Sequence, residues 1–211
     1  MSRLLATVAI ALCAVTANAL AQELHQDPQL GFKIRPPQDF TKVPLKPDEE
    51  WIAARWISQK AYYQTDKTDR GWTMDHKPEM YVIAFAKEMV KDKVDVDKKG
   101  TGGNEVTTYI LKNPYKDYRD YLKRTYNEGG FYIAAEDKAE VEGVQVETLD
   151  IKVERGVTGG PKKIVTWIFK GADIDFAIQF EMWESAWTKL KPDVLSCMRS
   201  FRRIEKTAPS P

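Results

Sequence analysis

From Ile174 to Met182 the chain alternates strictly. Ile174, Phe176, Ile178, Phe180 and Met182 are apolar, and Asp175, Ala177, Gln179 and Glu181 stand between them. A period of two predicts a strand with one face on a core and the other in solvent. At about 1.5 to 3 kcal/mol for each side chain taken out of water, such a row contributes on the order of 10 kcal/mol before conformational entropy is subtracted. Lys163 to Lys170 is rich in β-branched and aromatic residues, and Gly171-Ala172-Asp173 joins it to the alternating strand, so the two form an antiparallel hairpin. Beyond Trp183 the spacing changes to that of a helix, with Trp187, Leu190, Val194, Met198 and Phe201 near one face. Pro192 interrupts this stretch and predicts a kink or a fresh helix start.

Further strands are expected at Gly31–Arg35, Trp51–Ser58, Met80–Glu88, Phe131–Val141 and Val144–Glu154, the last two joined at Glu142-Gly143. The apolar phase slips between Val146 and Leu149, which predicts a bulge near Thr148 or burial on both faces. Asn113-Pro114 reads as a helix start with Asn as N-cap. Tyr115, Tyr118, Leu122 and Tyr126 then lie on one stripe, and Gly129-Gly130 stops the helix. Amphipathic packing against the sheet accounts for that tyrosine row without a ligand. Gln59 to Glu79 shows no clear period and reads as a long loop, of a size that is usually functional or mobile.

The predicted class is therefore α+β: a mainly antiparallel sheet of six to seven strands flanked by helices. The order of hairpin, helix and closing Ser200-Phe201-Arg202-Arg203-Ile204, with the opening Leu30-Gly31-Phe32-Lys33-Ile34-Arg35-Pro36-Pro37, resembles the PsbP-like α/β/α sandwich. That superfamily also holds the Ran-binding Mog protein and many exported bacterial proteins. The resemblance implies an exported bacterial member with a binding or assembly role. It rests on element order, so it carries no functional residue over.

The N-terminus adds a location. Met1-Ser2-Arg3, the apolar run Leu4 to Val15 and Ala19-Leu20-Ala21 have the three parts of a secretory signal, and the run is too short to span a bilayer. The expected division is a signal peptide at 1–21, a polar leader at 22–29, one domain at 30–205 and a disordered tail at 206–211. The location is periplasmic or extracellular. Cutting 21 of 211 residues removes one Arg and no acid, leaving 31 cations against 31 acids. That balance argues against a nucleic-acid partner. Cys197 is then the only cysteine, so no internal disulfide forms, and its place beside Met198 predicts a buried thiol.

Candidate chemistry is sparse. His25 and His76 are the only histidines, so no HExxH motif exists. Asp95 to Gly100 imitates the start of a calcium loop, but its fifth position is Lys99 and its twelfth is Val106, where a bidentate Glu is required. The Gly100–Gly103 and Gly156–Gly160 runs match no phosphate-binding motif, and no G-x-S-x-G occurs. No metal or cofactor is expected. The most distinctive feature outside the core is the 59–79 loop, where Tyr62, Tyr63, Trp72 and His76 stand among Lys67, Arg70 and Lys77. Aromatics with a polar tip beside cations are the residues of binding hot spots, and the competing reading is a lid packed on the sheet. The sequence thus points to a monomeric, non-catalytic binding or accessory module that contacts a protein or envelope component. A hydrolase of unrecognised type and a carrier of small hydrophobes are the alternatives.

Overall fold

A computed structural model describes residues 23–45, 51–65, 73–94, 106–112, 115–128, 132–153 and 162–205. In chain order the elements are β1 (His25–Asp27), β2 (Phe32–Ile34), β3 (Phe40–Val43), β4 (Ile52–Ser58), β5 (Tyr62–Thr65), β6 (Thr73–His76), β7 (Glu79–Ala86), β8 (Glu88–Val94), β9 (Val106–Lys112), α1 (Tyr118–Glu128), β10 (Tyr132–Val141), β11 (Val144–Val153), β12 (Lys162–Phe169), β13 (Ile174–Trp183), α2 (Glu184–Ser200) and β14 (Arg202–Arg203). Seven strands form one antiparallel sheet in the order β10-β11-β12-β13-β7-β4-β3, and β1, β2 and β14 form a smaller one. The hairpins β5–β6 and β8–β9 stand apart from both. The signal segment, Asn113-Pro114, Gly129-Gly130, the Asp95 and glycine-rich loops and the 206–211 tail lie outside the described residues.

Two apolar layers sandwich the main sheet. On one side the even-numbered row of β13 packs against Ala186, Leu190, Val194, Cys197 and Met198 of α2 and against Phe32, Ile34 and Phe201 around the small sheet. On the other side Tyr118 and Leu122 of α1 cover Ile83, Phe85, Leu149, Ile168 and Ala177. This α/β/α arrangement explains the phase slip in β11. Val146 belongs to the α2 layer and Leu149 to the α1 layer, so both faces are buried and the ladder runs unbroken past Thr148. The one irregularity of the β10–β11 pair lies in β10, between Ile133 and Ala135.

Four expectations change. First, β13 has no solvent face: Asp175, Ala177 and Gln179 are buried too, because α1 and neighbouring strands cover the side that alternation assigns to water. Second, the polar leader contributes β1, which pairs with β2 through His25↔Ile34 and turns the His25 ring inward against Phe32 and Trp56. Third, α1 begins at Tyr118, where Asp117 Oδ1 accepts the Asp120 N–H at 2.8 Å and serves as the cap. Fourth, α2 does not start afresh at Pro192 but continues through it. That proline and Thr188, one turn earlier, are both exposed, so water can solvate the carbonyl that loses its partner. Cys197 is fully buried as expected, 3.7 Å from the Met80 sulfur, and burial pushes its thiol well above the ordinary range.

The turns follow from local chemistry. Glu142 (φ 49°) and Gly143 (φ 80°) both occupy the left-handed region, the conformation of a tight two-residue hairpin. The β12–β13 turn is clasped from outside. Arg203 Nη2 donates to the carbonyls of Phe169 (2.6 Å) and Ile174 (3.1 Å), Lys87 Nζ donates to Gly171 O at 2.6 Å, and Asp175 Oδ1 accepts the Gly171 N–H at 3.1 Å. A Cβ on Gly171 would lie 2.4 Å from both Arg203 Nη1 and the Ile174 carbonyl oxygen. The guanidinium can swing away but the carbonyl is backbone, so Gly171→Ala is expected to cost about 1 to 2 kcal/mol, read as a lower urea midpoint.

Candidate functional site

The segment that reads as a loop is a hairpin. β5 and β6 pair in the register Tyr62↔His76, Tyr63↔Asp75, Gln64↔Met74 and Thr65↔Thr73. The pairing separates the candidate residues by face. Tyr62 is half-buried against the α2 core layer, whereas Tyr63, its neighbour in a strand, projects outward with 67% of its surface exposed. Trp72 lies outside the described residues. His76 turns back onto the sheet, its ring edge-on to Trp183 with centroids 5.4 Å apart.

A groove of about 450 Å³ separates this hairpin from the start of α2, lined by Lys60, Ala61, Tyr62, Tyr63, Ser185 and Lys189. Ser185 Oγ donates to the Tyr63 carbonyl at 3.2 Å and fixes the near wall. Asp39 pairs with Lys60 at 2.5 Å and holds that ammonium above its usual pKa. Lys189 has no ion-pair partner among the described residues. Sequence reading finds the tyrosines but not Ser185 or Lys189, since nothing in the α2 pattern distinguishes these two from any other solvent-facing helical positions.

A second, larger groove of about 900 Å³ runs beside β1 and β3, with Phe40, Trp56, His25 and Lys42 among its walls. The His25 imidazole is held below its ordinary pKa by burial and by Lys42, although its Nε2 is shut off from both solvent and any partner.

The third polar feature is a network on the α1 side of the sheet. Arg55 donates to Glu79 Oε2 through Nε (3.0 Å) and Nη2 (2.6 Å), and its guanidinium lies over the Tyr81 ring. Tyr81 Oη donates to the same carboxylate oxygen at 2.5 Å. Burial, Glu181 and the bond to Glu79 all drive the Tyr81 hydroxyl far above its usual pKa. Gln179 Oε1 accepts from Tyr118 (3.1 Å) and Thr166 (3.3 Å), while its Nε2 donates to Glu181 at 3.0 Å. Burial raises the pKa of Glu181, which stands directly across the ladder from Glu79. Each of these bonds satisfies a group inside the sandwich: Arg55, Glu79 and Tyr81 tie β4 to β7, and Gln179 ties β12 and β13 to α1. Among the described residues no cluster of three or more His, Cys, Asp or Glu could hold a metal ion. No described helix is long and apolar enough to cross a membrane.

The arrangement of sheet and flanking helices matches that of a solved relative. The solution structure of cyanobacterial PsbP (CyanoP) from Synechocystis sp. PCC 6803 superposes on 86% of this chain and 91% of its own, with a TM-score of 0.50 at 14% identity. The fold is PsbP-like. The chain is also similar to the Saccharomyces cerevisiae Ran-binding protein Mog1p, at 11% identity over 83% of this chain and 91% of that one with a TM-score of 0.45. LpqN, involved in cell envelope biogenesis of Mycobacterium tuberculosis, aligns at 10% identity over 85% and 87% with a TM-score of 0.46. No family model and no curated protein matches the sequence. At 14% identity the fold alone is what the chain shares with cyanobacterial PsbP, and residue roles do not transfer.

Proposed function

We propose that this chain is an exported, non-catalytic binding or accessory module of the cell envelope. It contacts a protein or envelope component through the β5–β6 hairpin and the groove beside α2. The observation that carries this reading is Tyr63. Most of the described aromatic side chains of the main sheet and α1 pack into one of the two apolar layers, yet Tyr63 stands in solvent at the lip of a groove that is also lined by Lys189, which has no ion-pair partner among the described residues. An aromatic with a polar tip loses little entropy on docking and forms the centre of many interfaces. The export reading rests on the N-terminal signal pattern, and the non-catalytic one on the engaged state of the Glu79 carboxylate, which Arg55 and Tyr81 already occupy.

The test is capture from native envelope extract with the mature chain as bait, followed by mass spectrometry. Tyr63→Ala combined with Lys189→Ala is expected to melt like the parent, since both residues are exposed, and to weaken recovery of the specific partner more than tenfold. Unchanged recovery by the folded variant would remove this surface as the site.

A further inference from the structure

Among the described residues, the β5–β6 hairpin is attached to the body of the protein through a small set of groups. Its stems are Gln59–Ala61 and Lys77-Pro78. The side-chain anchors among the described residues are Tyr62 in the core layer, the Ser185 hydroxyl on the Tyr63 carbonyl, and the His76 ring against Trp183. An element held this way opens more readily than the seven-stranded sheet beneath it.

Of these anchors His76 is the only one that can gain a charge near neutrality. Among the described residues its Nε2 reaches neither solvent nor a hydrogen-bond partner, so a proton placed on that atom would be buried without an acceptor. The charged groups facing the ring come from each element packed around it. Lys162 of β12 lies with its ammonium 5.7 Å from the centre of the Trp183 ring and opposes a second cation. Glu79 of β7 would favour one, but its carboxylate is engaged by Arg55 and Tyr81. The Glu181 backbone of β13 forms a hydrogen bond with the ring that favours the cation but is outweighed by burial, and burial of the Glu181 carboxyl means that it loses charge as pH falls. Asp75 on β6 is exposed, and Glu184 in the first turn of α2 is paired with Lys152. Burial is the largest influence and holds His76 below its ordinary pKa.

We propose that His76 is a pH-sensitive latch: when its ring takes up a proton it leaves Trp183, and the β5–β6 hairpin loosens from α2 together with the Tyr63 surface. The sign is fixed by linkage. A histidine that is harder to protonate in the closed hairpin than in the open one stabilises closure fully above about pH 6.5, and that stabilisation declines as pH falls from there. The consequence for partner capture rests on Tyr63 being the contact. The latch itself does not.

Backbone amide hydrogen exchange on the mature chain, corrected for intrinsic rates and compared at pH 7.5 and 5.0, tests it without any partner. The amides of β5 and β6 are expected to lose protection relative to those of β12 and β13, by up to about thirtyfold, the ratio of protonated to neutral forms for an ordinary histidine at pH 5. His76→Phe keeps a ring against Trp183 but cannot titrate, and is expected to abolish the difference. If that variant fails to fold, His76→Gln serves the same comparison. His25→Phe, which removes the other inward-facing imidazole, is expected to leave the difference in place. The latch is overturned if the hairpin and the main sheet lose protection in parallel in the parent, or if the difference survives removal of His76. Loss of capture by the Tyr63 variant at pH 7.5 reports on the surface alone, so the two readings can fail separately.

Discussion

Phe180→Asp is expected to leave the chain without a cooperative melting transition. Phe180 is fully buried at the centre of the α2-side layer, pairs across the ladder with Val165 and Met80, and meets the Phe40 ring edge-on at 5.8 Å. Removing the ring forfeits about 3 kcal/mol of apolar burial or more, and a carboxylate in its place adds a desolvation cost of several kcal/mol because no cation among the described residues lies over that ring. The sum approaches or exceeds the roughly 5 to 15 kcal/mol by which a domain is stable. Phe176 would give a less decisive result, since Arg203 lies 5.1 Å from that ring and could pair with an introduced acid. Phe180→Leu supplies the control: it should fold and lose about 1 to 2 kcal/mol in urea melts. A Phe180→Asp variant that melts near the parent would mean that this face of β13 is not the core.

The second large effect is expected at Arg55. Its guanidinium donates two hydrogen bonds to Glu79 Oε2, beside the one from Tyr81, and the Arg55 and Glu79 side chains are only 13% and 20% exposed. Arg55→Met keeps much of the stem and removes the charge, leaving a largely buried carboxylate with Tyr81 as its remaining donor. A cost of about 2 to 3 kcal/mol follows, somewhat less than for a fully buried pair because water still reaches the edge of the site. Adding Glu79→Gln removes the stranded charge and should recover at least half of that loss. A double-mutant cycle measures the coupling directly. If Arg55→Met alone is neutral, Arg55 and Glu79 are solvated separately and the network is not structural.

These two sites show what could and could not be read from the chain. The β12–β13 and β10–β11 hairpins and α2 were legible because each is specified locally, by alternation, by turn residues such as Glu142-Gly143 and by a 3.6-residue apolar spacing. The burial of Asp175 and Gln179 was not. A polar residue every second position looks the same whether it faces water or a hydrogen-bond partner, and the partners of Gln179 come from β12 and α1. The 59–79 segment misled for a related reason. Strands of four residues, as β5 and β6 are, are too short to display a period, and much of their order comes from pairing with each other and packing on α2 and β13. Of the candidate residues, Tyr62 divides from Tyr63 only once strand pairing assigns their faces, and the contact of His76 with Trp183 joins positions with no sequence relation.

The seven-stranded sheet ends at β10, a long strand with one edge that no described strand pairs. Such an edge is a template on which another chain could add a strand, the first step toward fibrous aggregation. From Ala135 to Lys138 every side chain of β10 is exposed, and Glu136, Asp137 and Lys138 are charged, with Glu140 exposed two positions on. An approaching strand would have to strip water from these groups and pull Glu136 away from Arg119 and Lys123 of α1. The irregularity between Ile133 and Ala135 breaks the regular ladder near one end of the same edge. While the sheet assembles, this charged border lets the strand pair inward with β11 and discourages outward growth.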